Sequence, residues 1–239
     1  MGFDEKKFAD FIIENNVIGF FDKPVVLKSG QKSNWYVNWR TPTSDAFLMD
    51  KITDFVVGFI KDKGLKPDCI LGVPEGATKL GVLSQFKWTK SQPGFSDKSK
   101  SYSLPMIRKS PKEHGAPADK YFVGAPVGNV ILIEDVTTSG ISLFEALDYL
   151  LNKGLGIKVI AAISLTDRRS KRYDNKSVGD VLKGHGVPFY SLSNAVQLLP
   201  KVFAKLQKDK GKDHSGELGI LAKAVELELS SNNLEKVKL

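Results

Sequence analysis

The fold of this sequence is decided by Val130-Ile131-Leu132-Ile133-Glu134-Asp135-Val136-Thr137-Thr138-Ser139-Gly140. The four apolar residues at its start, three of them β-branched, predict a strand buried on both faces, as in a parallel sheet covered by helices. Apolar residues recur at helical spacing after Gly140, so the small residues before them predict a tight strand-to-helix turn. The turn is followed by Ile141, Leu143, Phe144, Leu147, Leu150 and Leu151.

This turn has the composition of an anion site. A helix start carries unpaired backbone N–H groups and the positive end of the helix dipole, and the hydroxyls at 137–139 add further donors around a phosphate. The adjacent carboxylates Glu134 and Asp135 suit a ligand that also carries a diol, because they accept hydrogen bonds from ribose hydroxyls and favour positive charge on the sugar. Neither a nucleotide P-loop nor a dinucleotide fingerprint occurs here. An ordinary turn with Ser139 or Ser142 as N-cap is the alternative.

The pattern of two hydrophobic residues, two acids, two variable positions and Thr-Ser-Gly resembles the phosphoribosyl diphosphate (PRPP) signature of type I phosphoribosyltransferases. The resemblance implies that PRPP is the donor and leaves the acceptor base open, since the whole family shares the signature. Glu134 stands where the family usually has aspartate. The residues implied in PRPP binding are Glu134, Asp135, Val136, Thr137, Thr138, Ser139, Gly140, Ile141 and Ser142.

Length and composition favour one globular domain. The chain has 239 residues with ordinary apolar and charged fractions, and its formal net charge is +8. The basic residues are spread over the whole chain without a nucleic-acid-binding signature, so we expect no nucleic-acid partner. The single cysteine, Cys69, excludes an internal disulfide and suits a reducing compartment, and no apolar run is long enough for a membrane span. We therefore expect a cytoplasmic protein without a membrane partner.

A hairpin is predicted around Gly30, where apolar and aromatic runs flank Lys-Ser-Gly-Gln-Lys. An edge hairpin with an exposed lysine is one interpretation. The alternative rests on Leu27-Lys28-Ser29-Gly30 and Ser33-Asn34-Trp35-Tyr36-Val37-Asn38, which resemble the amino-terminal hood of orotate phosphoribosyltransferases, with Asn34 in place of the usual proline. The resemblance implies that Lys28 reaches the ligand anions and that the backbone at Tyr36 and Val37 binds orotate. Tyr36 is the candidate aromatic wall for the flat base.

The segment 108–117 has neither helical nor strand periodicity and contains two prolines. Three cations and a histidine on a mobile loop suit a diphosphate leaving group, whose negative charge grows as the bond breaks. A solvated basic loop is the alternative. The spacing Arg-Lys-x-x-Lys-x-His-Gly resembles the catalytic loop of orotate phosphoribosyltransferases, which implies a homodimer whose loops reach into the neighbouring site. By this resemblance Arg108 and Lys109 bind diphosphate, Lys112 is catalytic, and His114 is a further donor.

Arg168 follows the apolar strand 158–165. An arginine at the carboxyl end of a strand can hold a carboxylate through two hydrogen bonds. Orotate carries such a carboxylate, and the family resemblance implies that Arg168 and Thr138 bind orotate, while Arg169 is expected to be exposed. At the turn after the strand 69–74, many bacterial members of the family have a lysine where this chain has Gly76, and whether Lys79 replaces it is left open.

Strands alternating with helices predict an α/β fold with a doubly wound, mostly parallel sheet. We predict one domain with an N-terminal helix and hood (1–42), a PRPP-binding core (43–192) and a C-terminal helical extension (193–239). The resemblance implies an orotate phosphoribosyltransferase with catalytic residues Lys112, Glu134 and Asp135. It also implies Mg²⁺ carried mainly by PRPP, with no metal site made by protein residues alone. The alternatives are a transferase for another base, a PRPP-sensing regulator and a structural basic protein.

Overall fold

The computed structural model describes residues 2–27, 30, 32–96, 102–114, 120–152, 154–169, 176–231 and 237–239. The helices are α1 (Glu5–Glu14), α2 (Ala46–Asp62), α3 (Thr78–Lys90), α4 (Ile141–Leu151), α5 (Val178–Gly184), α6 (Ala195–Lys210) and α7 (Ser215–Ser231). The strands are β1 (Ile18–Val26), β2 (Lys32–Val37), β3 (Cys69–Gly72), β4 (Met106–Ile107), β5 (Phe122–Val123), β6 (Asn129–Thr137), β7 (Lys158–Asp167) and β8 (Phe189–Asn194).

The central sheet is parallel and has the strand order β3-β6-β7-β8. Side chains along each strand alternate between its two faces. In β6, Ile131 and Ile133 belong to one hydrophobic core, and Val130 and Leu132 belong to the other. The first core also contains residues of α1, α2 and α6, and the second contains residues of α4 and α5, so helices cover both faces as predicted.

Two smaller antiparallel pairs accompany this sheet. Strands β1 and β2 form the predicted hairpin, and Gly30 between them has a φ of +81°. Their buried residues, with those of α7, join the core that contains α1 and α6. The other pair, β4 with β5, forms the base of the 108–117 loop. One core thus connects the N-terminal hairpin, the sheet and the C-terminal helices.

Local capping signals account for the starts of several helices. Asp4 accepts a hydrogen bond from the Lys7 amide at the start of α1, and Asp45 accepts one from the Leu48 amide at the start of α2. The sequence analysis did not predict α5, although its capping box of Ser177 and Asp180 is a recognisable start signal. Within the described residues, no helix combines the length and the apolar content that a membrane crossing needs.

Two element boundaries differ from the prediction. Strand β6 continues through Glu134 and Asp135 to Thr137, because parallel pairing with β7 extends to Asp167. Helix α6 runs to Lys210, and a short 3₁₀ turn leads directly into α7. The charge run at 208–216 predicts a solvated linker between two helices. The segment is instead largely helical, although its described side chains are exposed.

Candidate active site

A cleft of about 380 Å³ lies at the carboxyl ends of β3, β6 and β7. Parallel strands place their carboxyl ends on one edge of the sheet, where α/β proteins bind ligands. Most of the predicted site residues meet here. They are Tyr36, Val37, Lys109, Glu134, Asp135, Val136, Thr138, Ser139, Gly140, Ile141, Ser142 and Arg168.

The turn between β6 and α4 forms one wall of the cleft. Gly140 is the N-cap residue of α4 with a φ of +73°, and no side chain caps the helix. The alternative with Ser139 or Ser142 as N-cap is therefore not what the structure contains. A Cβ atom on Gly140 would lie 2.9 Å from the Phe144 ring and 3.0 Å from Val178, so both the conformation and the packing require glycine.

The acid pair has two different environments. Glu134 is 7% exposed, and its Oε2 atom accepts a hydrogen bond of 2.8 Å from the Thr137 hydroxyl. Asp135 accepts a hydrogen bond from the Val136 amide, and its burial raises the pKa of its carboxyl group. The positive charge of Arg40 acts in the opposite direction and lowers that pKa. Both carboxylates line the cleft.

Thr137 differs from the prediction that its hydroxyl faces a phosphate. Its side chain is fully buried, and the hydroxyl donates to Glu134. The reason is the extension of β6: Thr137 is its last residue, pairs with Asp167 of β7, and points into the protein. Thr137 thus holds the acid pair, while Thr138 and Ser139 line the cleft.

The turn after β3 has no room for a side chain at Gly76. A Cβ atom there would lie 2.7 Å from an oxygen of the Asp135 carboxylate, so Gly76 and Asp135 pack directly against each other. Lys79 does not take the place of the lysine that many family members have at the position of Gly76. Its Nζ atom donates a hydrogen bond of 2.7 Å to the Thr43 carbonyl, outside the cleft.

Arg168 is almost fully buried, with an exposed fraction of 3%. Its guanidinium lies over the Trp35 ring, 3.7 Å from the centroid. Nη1 donates to the Trp35 carbonyl at 3.4 Å, and Nη2 donates to the Ser33 hydroxyl at 3.2 Å. Nη2 is also 3.9 Å from Oε1 of Glu228. Burial lowers the pKa of Arg168 to about 10. Arg169 is exposed, as predicted.

The basic loop is only partly in the cleft. Lys109 lines it and forms an ion pair of 3.1 Å with Glu75, in which both side chains are 67% exposed. The backbone amides of Arg108 and Lys112 donate to the carbonyls of Tyr121 and Lys120, and these hydrogen bonds continue the β4–β5 pairing. Among the described residues, Arg108, Lys112 and His114 do not line the cleft of their own chain. The prediction for Lys28 concerns a residue outside the described part of the chain.

The sequence analysis missed two charged residues of this site, Arg40 and Glu228. Arg40 lines the cleft beside Asp135. It comes shortly after β2, a strand that contributes to the cleft, and this position in the sequence could have indicated it as a site residue. Glu228 lies on α7, 194 residues beyond its hydrogen-bond partner Asn34, and no local pattern in the sequence marks it.

The chain is similar in sequence to known orotate phosphoribosyltransferases. No family model matches the chain. The chain is 31% identical over 182 residues to the orotate phosphoribosyltransferase of Bradyrhizobium diazoefficiens, and the match covers 73% of this chain and 87% of that protein. It is 26% identical over 157 residues to the orotate phosphoribosyltransferase of Thermococcus gammatolerans, covering 66% and 76%.

Solved structures agree in fold. The crystal structure of orotate phosphoribosyltransferase from Aeropyrum pernix superposes with a TM-score of 0.59 at 19% identity, covering 82% of this chain and 98% of that one. UMP synthase from Leishmania donovani superposes with a TM-score of 0.63 at 18% identity, covering 92% of this chain and 41% of that one. At these identities the structures establish the shared α/β fold.

Proposed function

We propose that the cleft of this chain transfers phosphoribosyl from PRPP to orotate. The chain belongs to the orotate phosphoribosyltransferase family and is therefore a pentosyltransferase. The products are orotidine 5′-monophosphate and diphosphate, and the reaction belongs to pyrimidine biosynthesis. One observation carries the proposal: an uncapped helix start, an acid pair and a buried arginine line the same cleft.

Each part of PRPP has a complementary group of residues in the cleft. The turn 138–142 and the start of α4 receive the 5′-phosphate through backbone amides and hydroxyls. Glu134 and Asp135 face the ribose hydroxyls and stabilise positive charge on the sugar in the transition state. Thr137 acts indirectly by holding Glu134 through its hydroxyl.

The orotate half of the cleft is formed by Tyr36, Val37, Thr138 and Arg168. Tyr36 provides an aromatic surface for the flat ring, and Arg168 provides the charge complementary to the orotate carboxylate. A neutral base gives Arg168 no ionic partner, so this residue distinguishes orotate from uracil. The proposal of an orotate transferase, and not of a transferase for another base, therefore depends on Arg168.

The reaction is a displacement at the anomeric carbon with oxocarbenium character, similar in charge to glycoside cleavage. The C–O bond to diphosphate breaks as the C–N bond to N1 of orotate forms. Diphosphate leaves with the bonding electron pair, and the N1 proton passes to the diphosphate or to water. Arg40 and Lys109 line the cleft and offset the negative charge of the leaving group. By the family resemblance, Lys28, Arg108 and Lys112 add positive charge, and His114 adds a hydrogen-bond donor to the diphosphate.

Magnesium fits this donor set as an ion that arrives with its substrate. Among the described residues, no group of three or more His, Cys, Asp or Glu side chains is placed to hold a metal ion. Glu75, Glu134 and Asp135 are the carboxylates that line the cleft, and Glu134 or Asp135 would complete a coordination sphere formed mainly by PRPP oxygens and water. Bound there, Mg²⁺ would supply positive charge to the leaving diphosphate.

A homodimer explains why Lys112 and His114 lie outside the cleft of their own chain. We assign them to the cleft of a second copy, as the family resemblance implies, so that two chains form each complete site. A cytoplasmic location and the three segments 1–42, 43–192 and 193–239 stay predictions.

Loss of orotate absorbance in the presence of PRPP and Mg²⁺ tests the activity directly. Uracil, adenine, guanine and hypoxanthine are compared under the same conditions. Consumption of orotate alone is the expected result. Turnover of another base at an equal or higher rate would favour the transferase for that base. PRPP binding without turnover of any base would identify a PRPP-sensing regulator instead.

A further inference from the structure

We propose that Glu228, on the C-terminal helix α7, is a positioning residue that holds Arg168 and the hood strand β2 in the orotate-binding arrangement. The inference rests on the proposed function, because it assigns Arg168 to the orotate carboxylate. It adds a specificity-determining role for a helix that no site prediction included.

Glu228 connects α7 to β2 through both of its carboxylate oxygens. Oε1 accepts a hydrogen bond of 2.6 Å from the Ser33 hydroxyl, and Oε2 accepts one of 2.9 Å from the backbone amide of Asn34. The Glu228 side chain is only 13% exposed, and Ser33 is fully buried. Hydrogen bonds to a carboxylate in such surroundings are stronger than neutral ones, so this contact fixes the start of β2 against α7.

The same contact extends to Arg168. Nη2 of Arg168 donates to the Ser33 hydroxyl, which donates in turn to Glu228. The Ser33 hydroxyl is also within 2.7 Å of the Trp35 carbonyl, and the Trp35 ring lies against the guanidinium. Arg168 is thus held between a β2 surface and a carboxylate, and Glu228 fixes the position of that surface.

Glu228 also compensates the charge of Arg168. Burial of the guanidinium disfavours its charged form and lowers its pKa, and the negative charge of Glu228 raises that pKa again. Tyr36 of β2 acts in the same direction with a smaller effect. An arginine that must attract a substrate carboxylate has to stay protonated, which a compensating carboxylate favours.

Glu228 does not occupy the hydrogen-bonding position on Arg168 that the substrate carboxylate needs. Both of its oxygens already accept hydrogen bonds from β2, and its separation from Nη2 is 3.9 Å, longer than a hydrogen bond. Within the described part of the chain, Nε of Arg168 is buried without a hydrogen-bond partner. Arg168 lines the cleft, and its hydrogen bonds to Trp35 and Ser33 leave other N–H groups of the guanidinium for a bound carboxylate.

The test compares Glu228→Gln with Glu217→Gln, the same chemical change on an exposed residue of α7. Steady-state kinetics give KM for orotate, KM for PRPP and kcat at several pH values. We expect Glu228→Gln to raise KM for orotate about tenfold, with KM for PRPP changed less than about twofold, because one charge-assisted contact is removed. The control should match the wild type.

The pH dependence separates positioning from general loss of structure. Loss of the Glu228 charge lowers the pKa of Arg168, so the rise of KM for orotate at alkaline pH should begin at a lower pH in Glu228→Gln. Glu228→Asp keeps the charge and should retain the wild-type pH dependence even where its shorter side chain weakens folding. Thermal unfolding of each variant checks the fold.

Two results would overturn the inference. One is an unchanged KM for orotate in Glu228→Gln, and the other is an equal rise of both KM values without a change in pH dependence. Arg168→Ala distinguishes this from failure of the proposed function. If Arg168→Ala raises KM for orotate and Glu228→Gln does not, only the role of Glu228 fails. If Arg168→Ala has no effect on orotate, the assignment of the base site fails.

Discussion

Single residues of the cleft show how strongly distant neighbours set its chemistry. Asp135 is largely enclosed by protein, which raises the pKa of its carboxyl group, while Arg40 opposes that effect. Gly76 allows the Asp135 carboxylate to approach the turn after β3. Burial and charge therefore act on Asp135 from the segment after β2, from β6 and from the turn after β3 together.

Replacing Arg40 should move the acid limb of activity. In the proposed mechanism the ionised form of Asp135 binds the ribose hydroxyls, so activity should fall as the pH falls through the raised pKa of this residue. Arg40→Ala removes the positive charge that lowers this pKa, and we expect the limb to shift to higher pH. The pH profile of kcat/KM for PRPP measures the shift.

Arg169→Ala is the control for that experiment, because Arg169 is an exposed arginine that does not line the cleft. Its profile should coincide with that of the wild type. Coincidence of the Arg40→Ala profile with the wild-type profile would show that Arg40 does not influence Asp135 in solution.

Lys112 is the residue whose removal should affect turnover most. Its charge stabilises the leaving diphosphate in the proposed assembly, and loss of one such group typically costs about 10²–10³ in kcat. Its side chain is exposed, so Lys112→Ala should leave the thermal midpoint unchanged. Lys201→Ala, on the exposed side of α6, controls for loss of positive charge. Near-normal turnover of Lys112→Ala would remove this lysine from the mechanism.

At the scale of elements, the turn between β6 and α4 is the unit on which the proposed phosphate binding depends. Its backbone conformation comes from Gly140, and the first turn of α4 stays open to the cleft because no side chain caps it. A strand that continues through Glu134 and Asp135 places the acids beside that turn. The acids and the helix start are therefore parts of one rigid segment.

Gly140→Ala should weaken both folding and PRPP binding. The left-handed conformation costs about 1–2 kcal/mol for a non-glycine residue. The contact of the added methyl group with Phe144 and Val178 adds about 1–3 kcal/mol. Chemical denaturation measures the free energy of unfolding, and titration with PRPP measures binding.

Gly154→Ala is a matched control, since Gly154 also has a positive φ but has no atom within 4 Å of its Cβ position. It should show the conformational cost alone and bind PRPP normally. Equal destabilisation by the two changes would show that the packing against Phe144 and Val178 does not contribute.

At the scale of the whole molecule, the position of the basic loop favours an active dimer. Lys109 pairs with Glu75 in its own cleft, whereas Lys112 lies outside that cleft. If the loop serves the neighbouring chain, each complete site combines the base wall of one subunit with Lys112 of the other.

Mixing Lys112→Ala with Arg168→Ala subunits tests this arrangement. After joint refolding or co-expression, loops that act in trans should restore about a quarter of wild-type activity, since half of the dimers carry one intact site. Each variant alone is the control and should have much lower activity. No recovery in demonstrated mixed dimers would indicate that Lys112 serves its own chain.

The local features of this protein were determined by the sequence itself. The buried strand and the Gly140 turn, the hairpin at Gly30 and the caps at Asp4 and Asp45 all depend on residues within about ten positions of one another. Hydrophobic periodicity and turn residues act over that range. The order of the elements and the family resemblance then indicated most of the cleft.

Only the tertiary structure decided which distant groups meet. The approach of Arg40 to Asp135, the contact of Lys79 with Thr43 and the contact of Glu228 with Ser33 each join separate elements. A periodic pattern states which face of an element is buried, but it does not state which other element covers that face. Charges on such faces acquire their partners, and hence their pKa values and roles, only when the whole chain has packed.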